Sequence, residues 1–284
     1  MENKSRSRLV DILLLLLIIL PLVGAMTLKV LTTPDAPLSD GVVISGAQIY
    51  FTIPMPFQDM YITAAQINSW AVMLSILGIC LYLTHGIKVI PDSKRQLAAE
   101  WIVDTVTKLV RENMGQKFLG FAPFVASILA LSALSSLSSL LGLFPPTSDV
   151  NVVVGWAILV FILITHYKLK GGLWEYIKGF FSPIPLFAPL NIIGEFATPI
   201  SMSFRHYGNI MSGMVISTLI AYALRSLSAM LFGGLPGMLG EIPFLRIGLP
   251  AVLSLYFDIF SGCMQAFIFA MLTMMFITTA APED

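Results

Sequence analysis

Charge is what this sequence has least of. Only 11 % of its 284 residues are Asp, Glu, Lys or Arg, while 57 % are apolar and the mean hydropathy is +0.86. Soluble domains carry about 25 % charged residues, and one water-soluble core cannot hide an apolar surplus of this size. The bilayer is the solvent that this composition fits. What charge there is cancels, with sixteen basic and sixteen acidic residues. Without a basic excess to neutralise phosphates, a nucleic-acid partner is excluded. Cysteine is scarce too: Cys80 and Cys263 stand far apart inside apolar segments. That spacing argues against a disulfide framework or a thiolate metal site and reads as small apolar packing. No HExxH, phosphate loop or nucleophile–base pair is present, so no cofactor is implied.

What is abundant is long apolar runs. A hydrocarbon core about 30 Å thick needs roughly 20 apolar residues in helix. Six stretches qualify: 9–31, 69–87, 119–143, 151–168, 187–224 and 246–281. The last two are too long for an upright crossing and must tilt, kink or divide. The expected fold class is therefore an all-α membrane protein of about six membrane helices. The basic residues orient it. With the N-terminus cytoplasmic, Lys4, Arg6, Arg8, Lys88, Lys94, Arg95, Lys108, Arg111, Lys117, Lys168, Lys170 and Lys178 all fall inside, twelve of the sixteen. Lys29, Arg225 and Arg246 fall outside, and the outer loop at 33–68 has no Lys or Arg. An even number of spans returns the C-terminus to the cytoplasm, which predicts a multi-pass protein of the plasma membrane. The first span has two readings. Lys4 to Arg8, a leucine run from Leu13 to Leu16, and Val23-Gly24-Ala25 also fit a cleavable signal peptide.

Between the second and third spans a different helix is expected. Pro91, Asp92 and Ser93 punctuate its start, and Ser93 with Gln96 has capping-box spacing. Glu100, Asp104, Lys108 and Arg111 recur on one face, while Ile102, Val106, Leu109 and Val110 line the other. Such a helix lies on the inner membrane surface or serves as an ordinary cytoplasmic linker. In the third span Ser127, Ser132, Ser135, Ser136, Ser138 and Ser139 let neighbouring helices come close. Pro145 and Pro146 end that span.

Ionisable residues inside a membrane cost about 2.5–3.5 kcal/mol each on insertion scales, which makes them functional candidates. The fifth span carries Glu195, Arg205 and His206, with Asn209 one turn later; the sixth carries Asp258 and Gln265. Arginine keeps its proton in essentially any protein setting, so Arg205 acts as a fixed positive charge and not as a relay. Ten helical residues put Glu195 about 15 Å to the cytoplasmic side of Arg205. The returning sixth span puts Asp258 in its outer half and Gln265 deeper. One acid inward and one outward of a fixed cation is the layout of two offset half-paths. Plainer readings stand beside this one: Glu195 as an interfacial anchor, His206 as a packed neutral ring, and Arg205 with Asp258 as a structural ion pair. Asp258, Gly262 and Gln265 share a face at helical spacing, and Gly208, Ser212 and Gly213 keep the fifth helix slim.

The segment Pro199-Ile200-Ser201-Met202-Ser203-Phe204-Arg205-His206-Tyr207-Gly208-Asn209-Ile210 resembles the arginine-helix motif of subunit a of the F-type ATP synthase. Gln265-Ala266-Phe267-Ile268-Phe269 resembles that family's last helix, Ser148-Asp149-Val150-Asn151 its outer turn, and Asn191 to Glu195 its lead-in. Four such segments in order make the resemblance specific. It covers roughly 69–284, leaving 1–68 as an N-terminal membrane segment with an outer loop. The resemblance implies a non-catalytic stator channel beside a rotating c-ring, assembled with peripheral-stalk b subunits and the rest of the synthase in a lipid bilayer. It implies that Arg205 separates two proton half-channels, with Asn209 and Gln265 nearby and the 93–114 helix facing the stalk. The chain departs from the family where many members have leucine at His206. Some members carry an acid at the position of Met214 and a histidine at that of Asp258. The alternative reading, a proton-coupled secondary transporter, would call for repeated halves with broken helices, and none is visible. The residues leave H⁺ and Na⁺ both open as the coupling ion.

Overall fold

The computed structural model describes residues 2–32, 46–56, 58–91, 93–182, 184–233, 243–246, 248, 252–253 and 255–282. Residues 33–45 of the expected outer loop, Asp92, and several residues expected to open the sixth span lie outside the described residues. Eight α-helices are described: α1 Glu2–Thr32, α2 Ala64–Thr84, α3 Lys94–Met114, α4 Ala122–Leu137, α5 Val150–Lys170, α6 Leu173–Phe180, α7 Ala188–Phe232 and α8 Gly262–Ala280. Six helical stretches are long and apolar enough to cross a membrane: Leu9–Thr32, Ala64–Thr84, Gln116–Leu141, Val150–Lys170, Pro185–Phe232 and Leu255–Ala280. They coincide with the six expected spans to within a few residues at most ends.

One addition to the helical plan is a short antiparallel hairpin, β1 Ile49–Ile53 with β2 Met60–Thr63. Its β-branched and aromatic residues favour strand in a segment with too few apolar residues to span. The hairpin feeds directly into α2 through Thr63.

Helix ends follow local chemistry. Ser93 Oγ accepts a hydrogen bond from the Gln96 backbone N–H at 3.2 Å, so the cap of α3 forms as expected. The reciprocal half of the box does not form. The Gln96 amide instead accepts from the Lys88 N–H, donates to the Lys88 carbonyl at 2.6 Å, and donates to Glu100 at 2.8 Å. It thereby fastens the α2–α3 connection to the first turn of α3. Gly115, at φ 84°, stops α3 and returns its N–H to the Arg111 carbonyl at 3.0 Å. Asp149 caps α5, accepting from the Asn151 N–H at 3.0 Å.

The core gathers around α8. Val110 and Met114 of α3, Val125 of α4, Val160 and Ile164 of α5, Met202 of α7 and Phe269, Met274 and Ile277 of α8 form one buried cluster. Thus α3 turns Val106, Leu109 and Val110 into the bundle and leaves Glu100, Asp104, Lys108 and Arg111 exposed, as its two-faced pattern predicts. Ile102, expected on the apolar face, is exposed. The serines of the third span serve close packing: Ser132, Ser135 and Ser136 of α4 and Ser138 just after it are buried, and a Cβ placed on Gly262 would lie 2.8 Å from that of Ser136. The two cysteines do not pack in the core; both are free thiols on exposed helix faces.

α7 runs 45 residues without a break and carries Pro199 inside it. At 1.5 Å per residue it is about 68 Å long, over twice the hydrocarbon thickness. Of the outcomes its length allowed, division into separate helical pieces does not occur. Before α8 the chain makes a π-helical turn, Leu255–Ser261.

Candidate functional site

The site is built on one face of α7 and the buried face of α8. Pro199 lacks an N–H, so the Glu195 carbonyl has no α-helical donor four residues on. Around this weak point Glu195, Thr198, Ser201, Met202 and Arg205 recur at three- to four-residue intervals and share a face. Two small clefts meet along that face. One, about 100 Å³, is walled by Lys168, Glu195, Thr198 and Phe276; the other, about 250 Å³, by Thr198, Ser201, Arg205 and Phe276. Thr198 and Phe276 belong to both, so the clefts form a stepped route from Glu195 to Arg205.

Glu195 is held by side chains from α5 and α6. Lys168 Nζ, in the last turn of α5, lies 2.8 and 2.6 Å from its two carboxylate oxygens, and Tyr176 of α6 donates its hydroxyl at 3.3 Å. The Glu195 side chain is 13 % exposed and that of Lys168 32 %. Burial first, and the neighbouring carboxylate second, raise the Tyr176 phenol above its usual 10.0. The tyrosine stays protonated and available as donor throughout the physiological range. Neither Lys168 nor Tyr176 figured among the expected site residues. The signal that could have found them is depth, since Lys168 ends the fourth span where Glu195 begins the fifth.

Arg205 edges the larger of these clefts, beside Met202 and Phe276. It is exposed, and among the described residues it makes no hydrogen bond or ion pair. It sits beside an apolar strip of the same helix made by Ile192, Ile193, Phe196, Ile200 and Phe204. The structural ion pair between Arg205 and Asp258 is therefore absent. One turn on, Asn209 donates its amide to the Gln265 oxygen at 3.3 Å, and Gln265 is buried in α8. This bond ties the arginine turn of α7 to the last helix, as the shared depth predicted.

His206, a third of a turn further round α7, is wholly buried. Its ring stands edge-on to Trp156 at 5.9 Å and to Phe269 at 5.4 Å, and its Nε2 lies 3.3 Å from Ser132 Oγ. The packed-ring reading describes this environment. Nδ1 has no partner among the described residues.

Asp258 lies half-buried in the π-helical turn. The widened turn breaks the α-helical spacing that was expected to align it with Gly262 and Gln265, both of which are buried. π turns of this kind concentrate at functional sites. The turn reaches α7 at Gly213, where a Cβ would come within 3.1 Å of the Phe257 ring. Gly213 thus provides the slimness expected of it, whereas nothing lies within 4 Å of a Cβ on Gly208. The structure joins Asn209 to Gln265 one turn from Arg205, sets Glu195 on the same face nearer the start of α7, and leaves Asp258 on a neighbouring segment.

Comparison with known proteins places the chain in a family. The family model described as ATP synthase A chain matches residues 66–278. ATP synthase subunit a of Bacillus pumilus is 35 % identical over 214 residues, covering 71 % of this chain and 85 % of the relative. Its counterpart in Bacillus subtilis is 33 % identical over 223 residues, 74 % of this chain and 88 % of the relative. The sodium-ion-specific subunit a of Propionigenium modestum is 29 % identical over 266 residues, 82 % and 84 % of the two chains. With six apolar helices and a match running through every element from α2 to α8, the chain belongs to the ATP synthase A chain family.

Proposed function

We propose that this chain is the non-catalytic, ion-translocating stator subunit of an ATP synthase membrane sector, with Arg205 as the fixed charge between two proton half-paths. The observation that carries the reading is Arg205 itself: an exposed arginine on an outward apolar face of a membrane helix, without an ion pair among the described residues. A charge placed there is costly unless a partner carboxylate comes to it. The apolar strip beside it suits the helices of a c-ring, whose carboxylates would pass Arg205 in turn. The guanidinium favours the ionised carboxylate and so promotes proton release as each one arrives.

The inner path follows Glu195, Thr198 and Ser201 to Arg205. Asp258 serves the outer path, and Asn209 with Gln265 holds the arginine turn in register. His206, packed between two aromatic edges, keeps that turn from rotating. The exposed face of α3 is the surface offered to peripheral-stalk b subunits, and the C-terminus is cytoplasmic.

The test is ATP-driven proton pumping in sodium-free membrane vesicles. The unmodified complex acidifies the vesicle lumen, whereas Arg205→Ala abolishes acidification and leaves ATP hydrolysis by the soluble sector measurable. Coupled pumping by the variant overturns the role given to Arg205; pumping that requires sodium overturns the choice of ion.

A further inference from the structure

The short helix α6 joins two spans, and the site described above uses only its Tyr176. The fourth span ends at Lys170 and the fifth begins at Pro185, so α6 lies where both meet the same membrane surface. It is pinned to α7 at two points. Tyr176 donates its hydroxyl to Glu195 at 3.3 Å, and the Asn191 amide donates to the carbonyls of Phe180 and Ser182 at 2.8 and 3.0 Å. The Tyr176 and Phe180 rings, one turn apart, meet edge-on at 4.9 Å and are half-buried. These contacts fix how α6 is rotated about its axis. Leu173, Trp174, Ile177 and, at the C-cap, Phe181 then fall on one exposed arc, with Trp174 77 % exposed. Glu175 and Lys178 fall on a separate arc that is also exposed.

We propose that α6 is an in-plane membrane anchor, its Trp174 arc seated in the phospholipid headgroup layer at this surface. Four large exposed apolar side chains on so short a helix are a poor fit to water. At 1.5 Å per residue α6 is about 12 Å long, far too short to cross a bilayer. A helix with one apolar and one charged arc lies instead in the interface, its apolar side reaching the upper acyl chains. Tryptophan favours that depth, because its ring is apolar while its indole N–H needs a polar partner. Lipid is the occupant because the arc continues the exposed apolar surface of the spans on either side. Along the chain, exposed apolar side chains run from Leu169 in the last turn of α5, through the arc, to Ile184 and Leu186 at the entry to the fifth span. Anchored in this way, α6 holds the Tyr176 donor at a fixed level against Glu195. The inference rests on the membrane-spanning fold and not on the roles given to Arg205 or Asp258.

The experiment uses the ATP synthase complex containing this chain, reconstituted into phosphatidylcholine vesicles that carry one of two photoreactive phosphatidylcholines. One bears its diazirine beside the headgroup, the other at the acyl terminus. After irradiation the labelled peptides are read by mass spectrometry. The headgroup probe labels the segment 171–182 about fivefold more than the terminal probe does. Trp174→Ser with Ile177→Ser lowers that labelling about fivefold, and Trp174→Phe with Ile177→Leu keeps it. Either single Ser variant lowers it about twofold and carries the test if the pair fails to assemble. Equal labelling by the two probes, or labelling unchanged in the Ser variants, overturns the anchor. Labelling by neither probe overturns it as well. Reaction with a water-soluble carbene reagent then assigns the arc to solvent, and cross-links to another subunit assign it to a protein contact. No pumping is measured, so each of these outcomes is separate from the fate of the role proposed for Arg205.

Discussion

A carboxylate or a guanidinium in a membrane is defined by what it touches. Glu195 and Arg205 share a face of α7 yet live differently. Lys168 and Tyr176 hold the first at short range, while the second meets no charged partner among the described residues. The sequence separated these roles by depth alone. Depth put Lys168 level with Glu195, but whether the two meet depends on how α5 and α7 are rotated about their axes, and hydropathy carries no record of rotation. Asp258 poses the sharper functional question, since Met214 occupies the α7 position where some relatives of the resembled family place the acid. We expect Asp258→Asn to slow ATP-driven proton pumping at least tenfold while Met214→Ala changes it less than twofold. The order of magnitude follows from removing a proton-carrying group, whose typical contribution to rate is about a hundredfold or more. Equal, mild losses in the two variants would remove Asp258 from the outer path.

At the scale of elements, the contact between α4 and α8 is the most exacting. A Cβ on Gly262 would stand 2.8 Å from the Ser136 Cβ, an atom with no rotamer by which to withdraw. Gly262→Ala should therefore destabilise the fold by about 1–3 kcal/mol, the range for overpacking a tight interface. The measurement is the thermal midpoint of the solubilised complex, and adding Ser136→Gly should restore most of the loss. A shift unaffected by Ser136→Gly would place the strain elsewhere. The spans and the cap of α3 were legible because each rests on a local rule: enough apolar residues to cross, or a serine three residues before an N–H. The hairpin and the π turn were not. Residues 49–63 are too few and too mixed to force strand on their own, and a π turn is written in backbone hydrogen bonds that no side-chain period announces. The 45-residue α7 was legible as excess length but not as one unbroken helix, since Pro199 gives equal licence to a break.

For the whole molecule, α1 decides how much of the chain remains in the mature protein. It packs closely on α2, with a Gly78 Cβ position only 2.9 Å from the Ile18 side chain and Ser75 Oγ donating to the Ile18 carbonyl at 2.8 Å. Asp11 meets Arg95 of α3 at 2.7 Å, Lys29 donates to the Gly142 carbonyl, and Gln48 donates to the Thr32 carbonyl at 2.8 Å. Removal of residues 1–25 would strip both Ile18 contacts and the Asp11–Arg95 pair, and uncover the slim face of α2. The expected outcome is retention of α1, read as peptides containing Asp11 and Ile18 in digests of protein isolated from membranes. An N-terminus beginning after Ala25 would make the segment a signal peptide and α1 a transient partner.

The π turn at 255–261 has a consequence for how this chain tolerates change in length. A wide turn holds one residue more than an α-helical turn would use, so it is a place where the helix has already absorbed an insertion. Deleting a single residue there would let ordinary α-helical bonding resume. Residues on the two sides of the deletion would then be rotated relative to each other by about 100°. Gln265 would keep its partner on α7, while Asp258 would swing to another quarter of the cylinder. A substitution scan, which keeps every residue in its place, would pass over this dependence; a scan of one-residue deletions would meet it at once.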